Sequence, residues 1–442
     1  NTPSRLDDDM ETILFNKEEE EQYKNGDNKC IYLDYNGTTP IHPLVLAAMI
    51  PFLTVHFGNP SSSHYFGTKP RLAVQGARRN LLKLIGGKDM STAEDSIWFT
   101  GCGTESDNLA IHLGLETTKH LLEEKGSNSK QHIVTSNVEH PAVEACLKKL
   151  EEEGLVDVTY VPVGKDGRVL ASDMISAIGQ NTVLVTLMLA NNESGALQPV
   201  KEVAEHCRQN GVLFHTDAAQ ACGKVSVNID DLGGPDMVTL VGHKLGAPKG
   251  VAALYVRPNC LTENGRQLPQ SYGKGGIMLT GGGQEGGRRA GTENVPYIAG
   301  FGRSAELALA NLESNMDHME RMRSRLLSKL QSHLGEDNVR PNGPSDPNYR
   351  LPNTLSVGLK NVQSGLLLSN ISNEVAASAS AACHSGGSGS ISAVLRAMNV
   401  PVEFAMGTLR LSVGPSTTSD DIDRAASIIA KEAKQQLMAP SK

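Results

Sequence analysis

GVLFHTDAAQ (residues 211–220) and DMVTLVGHKLGAPKG (residues 236–250) share one construction: an apolar run stops abruptly at polar residues and the chain turns. Short apolar runs of this kind, bounded by turn residues, read as buried β-strands. The second run delivers His243 and Lys244 just before Gly246, Pro248 and Gly250 turn the chain. Lysine is among the residues least often buried. A lysine at the end of a buried strand therefore calls for a chemical reason.

The construction recurs on both sides of this stretch. SIWFT (96–100) precedes the helical ESDNLAIHLGL, and QHIVTS (131–136) precedes PAVEACLKKLEEE. VDVTYVPV, TVLVTLMLA (182–190) and VAALYV (251–256) complete the strands, with helices such as VKEVAEHCRQN between them. Strands alternating with helices predict an α/β fold with a mostly parallel sheet covered on both faces. Ligands of such sheets bind at the carboxyl ends of the strands. From residue 296 the character changes: PYIAGFGRSAELALANLESNMDHMERMRSRLLSKLQSHL reads as one long bridging helix. A Pro/Asn-rich loop (340–353), strand-like NTLSVGL and LRLSVG, and a helix from Ser419 follow. The expected organisation is a loose acidic leader (1–29), a large domain (30–295) and a smaller C-terminal α+β domain (296–442).

Composition narrows the function classes. The 442 residues carry a net charge of −8, with no basic stripe of the kind nucleic acid requires. No stretch approaches the roughly 20 apolar residues of a membrane span. Seven cysteines are scattered without CxxC or Cys/His spacing, so no metal site is expected and a reducing compartment is. The leader, with Asp7–Asp9 and Glu18–Glu21, lacks the apolar centre of a signal peptide. These features suggest a cytoplasmic protein, or one whose organellar presequence was removed upstream of Asn1.

Polar motifs cluster where the strands end. GCGTESDN (101–108) is a glycine turn opening a helix, a setting for a phosphate at Gly103 and Thr104, although an ordinary helix cap looks the same. His140 in SNVEHP, Asn192 in ANNESG, and Asp217 and Gln220 in HTDAAQ each have a local structural explanation as well. With Lys244 added, one cofactor accounts for the whole set. Pyridoxal 5′-phosphate needs a lysine amine, an acidic partner for its ring nitrogen and a phosphate cradle. Asp217 suits the nitrogen, His140 can stack on the ring, and Asn192 or Gln220 can bond the phenolic oxygen. Cys383 stands apart among the cysteines, in SAACHSGGSGS, small residues opening into a flexible loop.

LDYNGTTP, FGNPSSSH, GTESDN, EHPAV, ANNESG, HTDAAQ, GHKLGAPKG, GGGQEGGRRAGTEN, AACHSG and LRLSVG follow one another over residues 31–435. In that order they resemble the cysteine desulfurase and selenocysteine lyase family. The resemblance implies a dimeric, aminotransferase-type (fold type I) pyridoxal-phosphate enzyme acting on L-selenocysteine or L-cysteine. It makes Lys244 the Schiff-base lysine, Asp217 the ring-nitrogen partner and His140 the stacking histidine. Asn192 and Gln220 become cofactor-contacting amides, and Gly103, Thr104 and His243 phosphate-binding positions. Thr292 would reach the partner subunit's phosphate. Arg410, with Asn36, would hold the substrate carboxylate, and Cys383 would take the chalcogen for a downstream acceptor protein.

Within the family, desulfurases commonly place a serine or threonine three residues before the lysine. Val241 stands there, as in selenocysteine lyases. AACHS and LDYN point the same way, whereas Pro141 after His140 and Pro415 after LRLSVG depart from both branches. The expected activity is release of selenium from L-selenocysteine with formation of L-alanine. The alternatives are a cysteine desulfurase forming a Cys383 persulfide for iron–sulfur or thio-cofactor synthesis, a true aminotransferase, and a non-enzymatic scaffold.

Overall fold

A computed structural model describes residues 30–123, 130–379, 381–382 and 390–438. The chain opens with a short strand, β1 (Ile31–Tyr32), and two helices, α1 (Pro43–Thr54) and α2 (Tyr65–Leu84). Prolines at the first turns, such as Pro43 after the capping His42, start helices where the missing N–H costs nothing. Then strands and helices alternate: β2 (Ile97–Thr100), α3 (Gly103–Glu123), β3 (Gln131–Ser136), α4 (Pro141–Glu152), β4 (Val156–Val161), β5 (Thr182–Thr186), α5 (Val200–Gln209), β6 (Leu213–Asp217), β7 (Met237–Val241) and β8 (Ala252–Val256). These seven strands form one sheet in the order β2-β8-β7-β6-β5-β3-β4. All are parallel except β8, which runs against both β2 and β7. Strands β2, β5, β6, β7 and β8 are buried along their whole length, which explains their near-continuous apolar sequences.

The predicted 296–334 helix is two helices, α6 (Val295–Ala310) and α7 (Leu312–Leu334). Asn311 makes the break: its backbone N–H (3.1 Å) and its Nδ2 (2.8 Å) both go to the Leu307 carbonyl. A side chain competing for a helix carbonyl in this way ends the helix. α6 packs on α1 and α2, whereas α7 packs on the C-terminal helix. The 182–190 run also ends early as a strand. Leu187 and Leu189 nonetheless still donate to the carbonyls of His215 and Asp217, extending the edge of the sheet toward the site.

The C-terminal part contains β9 (Val339–Asn342), β10 (Thr354–Leu359), β11 (Val375–Ala376), β12 (Ser378–Ala379), β13 (Ala381–Ala382), β14 (Ser390–Ile391), β15 (Thr408–Ser412) and α8 (Ser419–Met438). An antiparallel sheet, β12-β15-β10-β9, carries α7, which pairs with α8. Its core includes Leu326, Leu355, Leu409 and Ile429, together with Ile31 and Leu33 from the start of the chain. β1 pairs in parallel with β11, so the first described residues are stitched to the C-terminal part. Among the described residues no helix is long and apolar enough to cross a membrane.

Candidate active site at the carboxyl edge of the large sheet

The turns after β2, β3, β5, β6 and β7 open on one side of the sheet, around a cavity whose empty volume is about 850 Å³. Asn36, Gly103, Thr104, His140, Asn192, Asp217, Gln220, His243, Lys244 and Arg410 all line it. Thr292 is exposed and does not line this cavity. Cys383 lies outside the described residues, although β13 and β14 on either side of it pair antiparallel.

Lys244 sits in the short helical turn that ends β7. Its Nζ donates to the carbonyls of Asn36 and Gly37, the latter at 2.7 Å. Burial, aided by the Arg410 cation, pulls its amine down to about 8 from 10.5, against the pull of Asp34 and Asp217. Asp217 ends β6, buried, with Oδ1 accepting from the Ala219 N–H at 2.8 Å. Burial pushes this carboxyl up, opposed by that N–H and by His140 and Lys244. Such a carboxylate gains from an arriving cation, as a protonated ring nitrogen would be.

His140 is the N-cap of α4, its Nδ1 accepting from the Ala142 N–H at 3.1 Å. The proton of the neutral ring is therefore on Nε2. Desolvation lowers its pKa although the ring remains exposed to the cavity. The departure at Pro141 has a structural account: it occupies the first turn of α4, where proline is favoured. His243 is held down to about 4 by burial and by Lys244, and its Nδ1 meets Thr38 Oγ1 at 3.1 Å.

Arg410 is already engaged on one side. Nη2 meets Asp34 Oδ1 and Ser378 Oγ, each at 2.8 Å, and Nη1 reaches the Asn192 carbonyl at 3.3 Å. Its Nε is buried and has no partner among the described residues. An orphaned buried donor beside a cavity is a ready acceptor-binding point.

Several residues of the site were not picked out from the sequence. Asp107 on α3 is buried, its Oδ1 lying 3.7 Å from His215 Nε2 without a hydrogen bond among the described residues, and burial together with Asp217 pushes its carboxyl well up. Cys102 is exposed and lines the cavity. Burial instead raises the thiols of Cys207 and Cys222 to about 12. Lys224, four residues after Gln220, donates to Gln220 Oε1 (2.8 Å) and Asn36 Oδ1 (3.1 Å). A larger cavity, with an empty volume of about 1340 Å³, lies between α6, α7 and Val413–Ser416. It shares Lys244 but not Asp217, His140 or Arg410, so the smaller cavity holds the chemistry; Pro415 lines the larger one.

The donor set fits pyridoxal phosphate. A lowered amine and a buried carboxylate stand in one cavity with the N-terminus of α3, where Gly103 and Thr104 begin a 21-residue helix whose dipole favours a phosphate. The chain matches the family described as Aminotransferase class-V over residues 31–425. It is 41% identical over 400 residues to a cysteine desulfurase of a Nostoc species, covering 90% of this chain and 92% of that protein. It is 38% identical over 436 residues to human selenocysteine lyase, covering 93% and 92%. A solved NifS-like protein superposes with a TM-score of 0.77 at 31% identity, covering 93% of this chain and all of that one. The chain thus belongs to the class-V aminotransferase family, as a pyridoxal-phosphate enzyme of its cysteine desulfurase and selenocysteine lyase group.

Proposed function

We propose that the protein removes selenium from L-selenocysteine, leaving L-alanine, and accepts L-cysteine more slowly. The observation that carries the selenium reading is Val241. It is buried and lies against the start of α3, where a methyl added at Gly103 would meet its Cγ2 at 2.7 Å. The phosphate end of the site therefore lacks the hydroxyl that desulfurases commonly place there.

Pyridoxal phosphate, when bound, supplies an electron-withdrawing ring that makes the substrate's α-proton acidic. Lys244 and Asp217 would hold it, with His140, Gln220, His243 and the α3 N-terminus lining the same cavity. Lys244, as a free amine, takes the α-proton. Arg410, lining the cavity, offers its guanidinium charge to the substrate carboxylate while Asp34 keeps it in place. His140 carries a proton on Nε2 for return to the substrate. With cysteine, the Cβ–S bond breaks, an S–S bond forms at Cys383 and a proton returns to Cβ. With selenocysteine, the selenium leaves at the zero oxidation level, and two electrons from an added thiol carry it to selenide.

The working unit is a homodimer. Phe57, Tyr65 and Phe66 are 70%, 83% and 53% exposed beside the helices α1 and α2, an apolar face suited to a second copy. Thr292, exposed and away from its own cavity, would serve the partner's phosphate. Sedimentation of the holoenzyme as a monomer at micromolar concentration would refute this.

The deciding experiment offers L-selenocysteine and L-cysteine separately, with cofactor and dithiothreitol, and measures alanine, selenide and sulfide. A preference of roughly tenfold or more for selenocysteine supports the lyase. Equal rates, with a persulfide lost in Cys383→Ala, give the cysteine desulfurase instead, the activity named for relatives 37% and 41% identical, as the lyase is for one 38% identical. A requirement for a keto acid would give the aminotransferase instead.

A further inference from the structure

Lys224 is the only lysine among the described residues that is fully buried, 5% exposed, and no described ion pair includes it. Burying an amine without a carboxylate is costly unless its hydrogen bonds are met. Both of its partners are amide oxygens, Gln220 Oε1 and Asn36 Oδ1. It lines the larger cavity, whereas Gln220 and Asn36 line the one that holds Lys244 and Asp217.

We propose that Lys224 is a positioning residue. By donating to both oxygens it fixes which end of the Gln220 amide faces the cofactor cavity and where the Asn36 carbonyl meets Lys244. This rests on the pyridoxal-phosphate chemistry described above.

An amide's two ends are nearly alike in shape, so its neighbours must choose its orientation. As the ammonium, lysine chooses without ambiguity, because it donates and cannot accept. Burial, with Lys244 and Arg410 nearby, holds this amine down to about 7, with Cys222 on the other side of the balance. The uncharged amine still has two N–H groups for two oxygens, so the brace survives loss of the proton. With Oε1 turned to Lys224, Gln220 Nε2 donates to the Asn36 carbonyl at 3.0 Å and keeps its second N–H for the cavity. The Asn36 side chain is then fully committed. Its oxygen also takes Asn353 Nδ2 at 3.0 Å, and its nitrogen serves Thr354 Oγ1 at 2.8 Å and the Asn192 carbonyl at 3.2 Å. The Asn36 carbonyl receives both Gln220 and Lys244.

The test compares wild-type holoenzyme with Lys224→Met, which removes the donors, and Lys224→Arg, which keeps them and can extend into the larger cavity. In Lys224→Met only the Asn36 carbonyl still selects the Gln220 nitrogen, so the amide is held at one end and its N–H to the cofactor's phenolic oxygen weakens. The pH midpoint of the cofactor's visible absorbance then moves up by about 0.5–1 unit. Turnover falls roughly tenfold with little change in substrate KM, as for a loss of alignment rather than of binding. Lys224→Arg returns the midpoint toward wild type. An unchanged midpoint in a folded Lys224→Met, or an Arg variant that shifts as far as Met, overturns the proposal. Should the Met variant not fold, a neutron structure of the wild type decides: deuterium on the Gln220 atom nearest Lys224 refutes the assignment, and deuterium on Lys224 directed at both Gln220 Oε1 and Asn36 Oδ1 supports it. Wild-type protein that never develops the visible band would instead overturn the cofactor reading itself.

Discussion

Lys244 should react as a free amine near neutral pH even without cofactor. An amine titrating at about 8 is roughly 9% unprotonated at pH 7, against about 0.03% for a lysine at 10.5, a gain of about 300-fold in free base. The main cause is burial, and the second is the Arg410 cation. The carbonyls of Asn36 and Gly37 do not reverse it, because an amine as well as an ammonium can donate to both. Competitive acetylation of the apoprotein with trace acetic anhydride, read on the Lys244 peptide by mass spectrometry against a free lysine standard, gives the midpoint directly. Two variants then move it in opposite directions. Arg410→Met removes a neighbouring cation and raises the midpoint; Asp217→Asn removes a neighbouring anion and lowers it further. A wild-type midpoint at or above about 10, or two variants shifting the same way, would falsify the electrostatic account.

Asp217→Asn keeps an acceptor for the Ala219 N–H but loses the charge, so turnover should fall by roughly 100-fold or more. Because burial raises the Asp217 carboxyl in the folded state, its ionisation costs stability above the unfolded carboxyl's pKa; the Asn apoprotein should therefore resist urea better at pH 7. Gly103→Ala drives a methyl into Val241 and should weaken cofactor binding roughly tenfold, and adding Val241→Ala should recover most of the loss in a binding titration. Arg78 and Glu285 form a buried pair with two 2.7 Å bonds, and Glu285 also accepts the Phe99 N–H at 2.9 Å. Arg78→Met should cost about 3–5 kcal/mol in urea unfolding, because Glu285 is left buried without its partner.

The sheet and the strand-end site were legible because both write themselves locally: an apolar run, a polar stop, a glycine turn. His243, Lys244, Asp217 and Gln220 follow that grammar, and the structure brings them into one cavity. Asp107 and Lys224 do not. Asp107 lies inside α3, where its burial depends on strands far off in sequence, and Lys224 follows an ordinary turn whose partner Asn36 is 188 residues away. The reversed direction of β8 was equally hidden, since an apolar run carries no sign of its orientation. The helix break at Asn311 was missed because the apolar periodicity continues through it and only one side chain ends the hydrogen-bond ladder.

The stitching of β1 to β11 has a temporal consequence. Asn36, which receives Lys244, finds its own partners at Asn353, Thr354 and Ser412, as much as 376 positions downstream. A chain leaving the ribosome from its amino end can build the large sheet and present Asp217 and Lys244 long before those partners exist. Lys244 and Asp217 are thus in place early, and the clamp that selects an amino acid, Arg410 with Asp34, closes only once residue 410 has been made. A nascent or truncated chain would hold a pocket fit for the aldehyde before it could recognise any substrate.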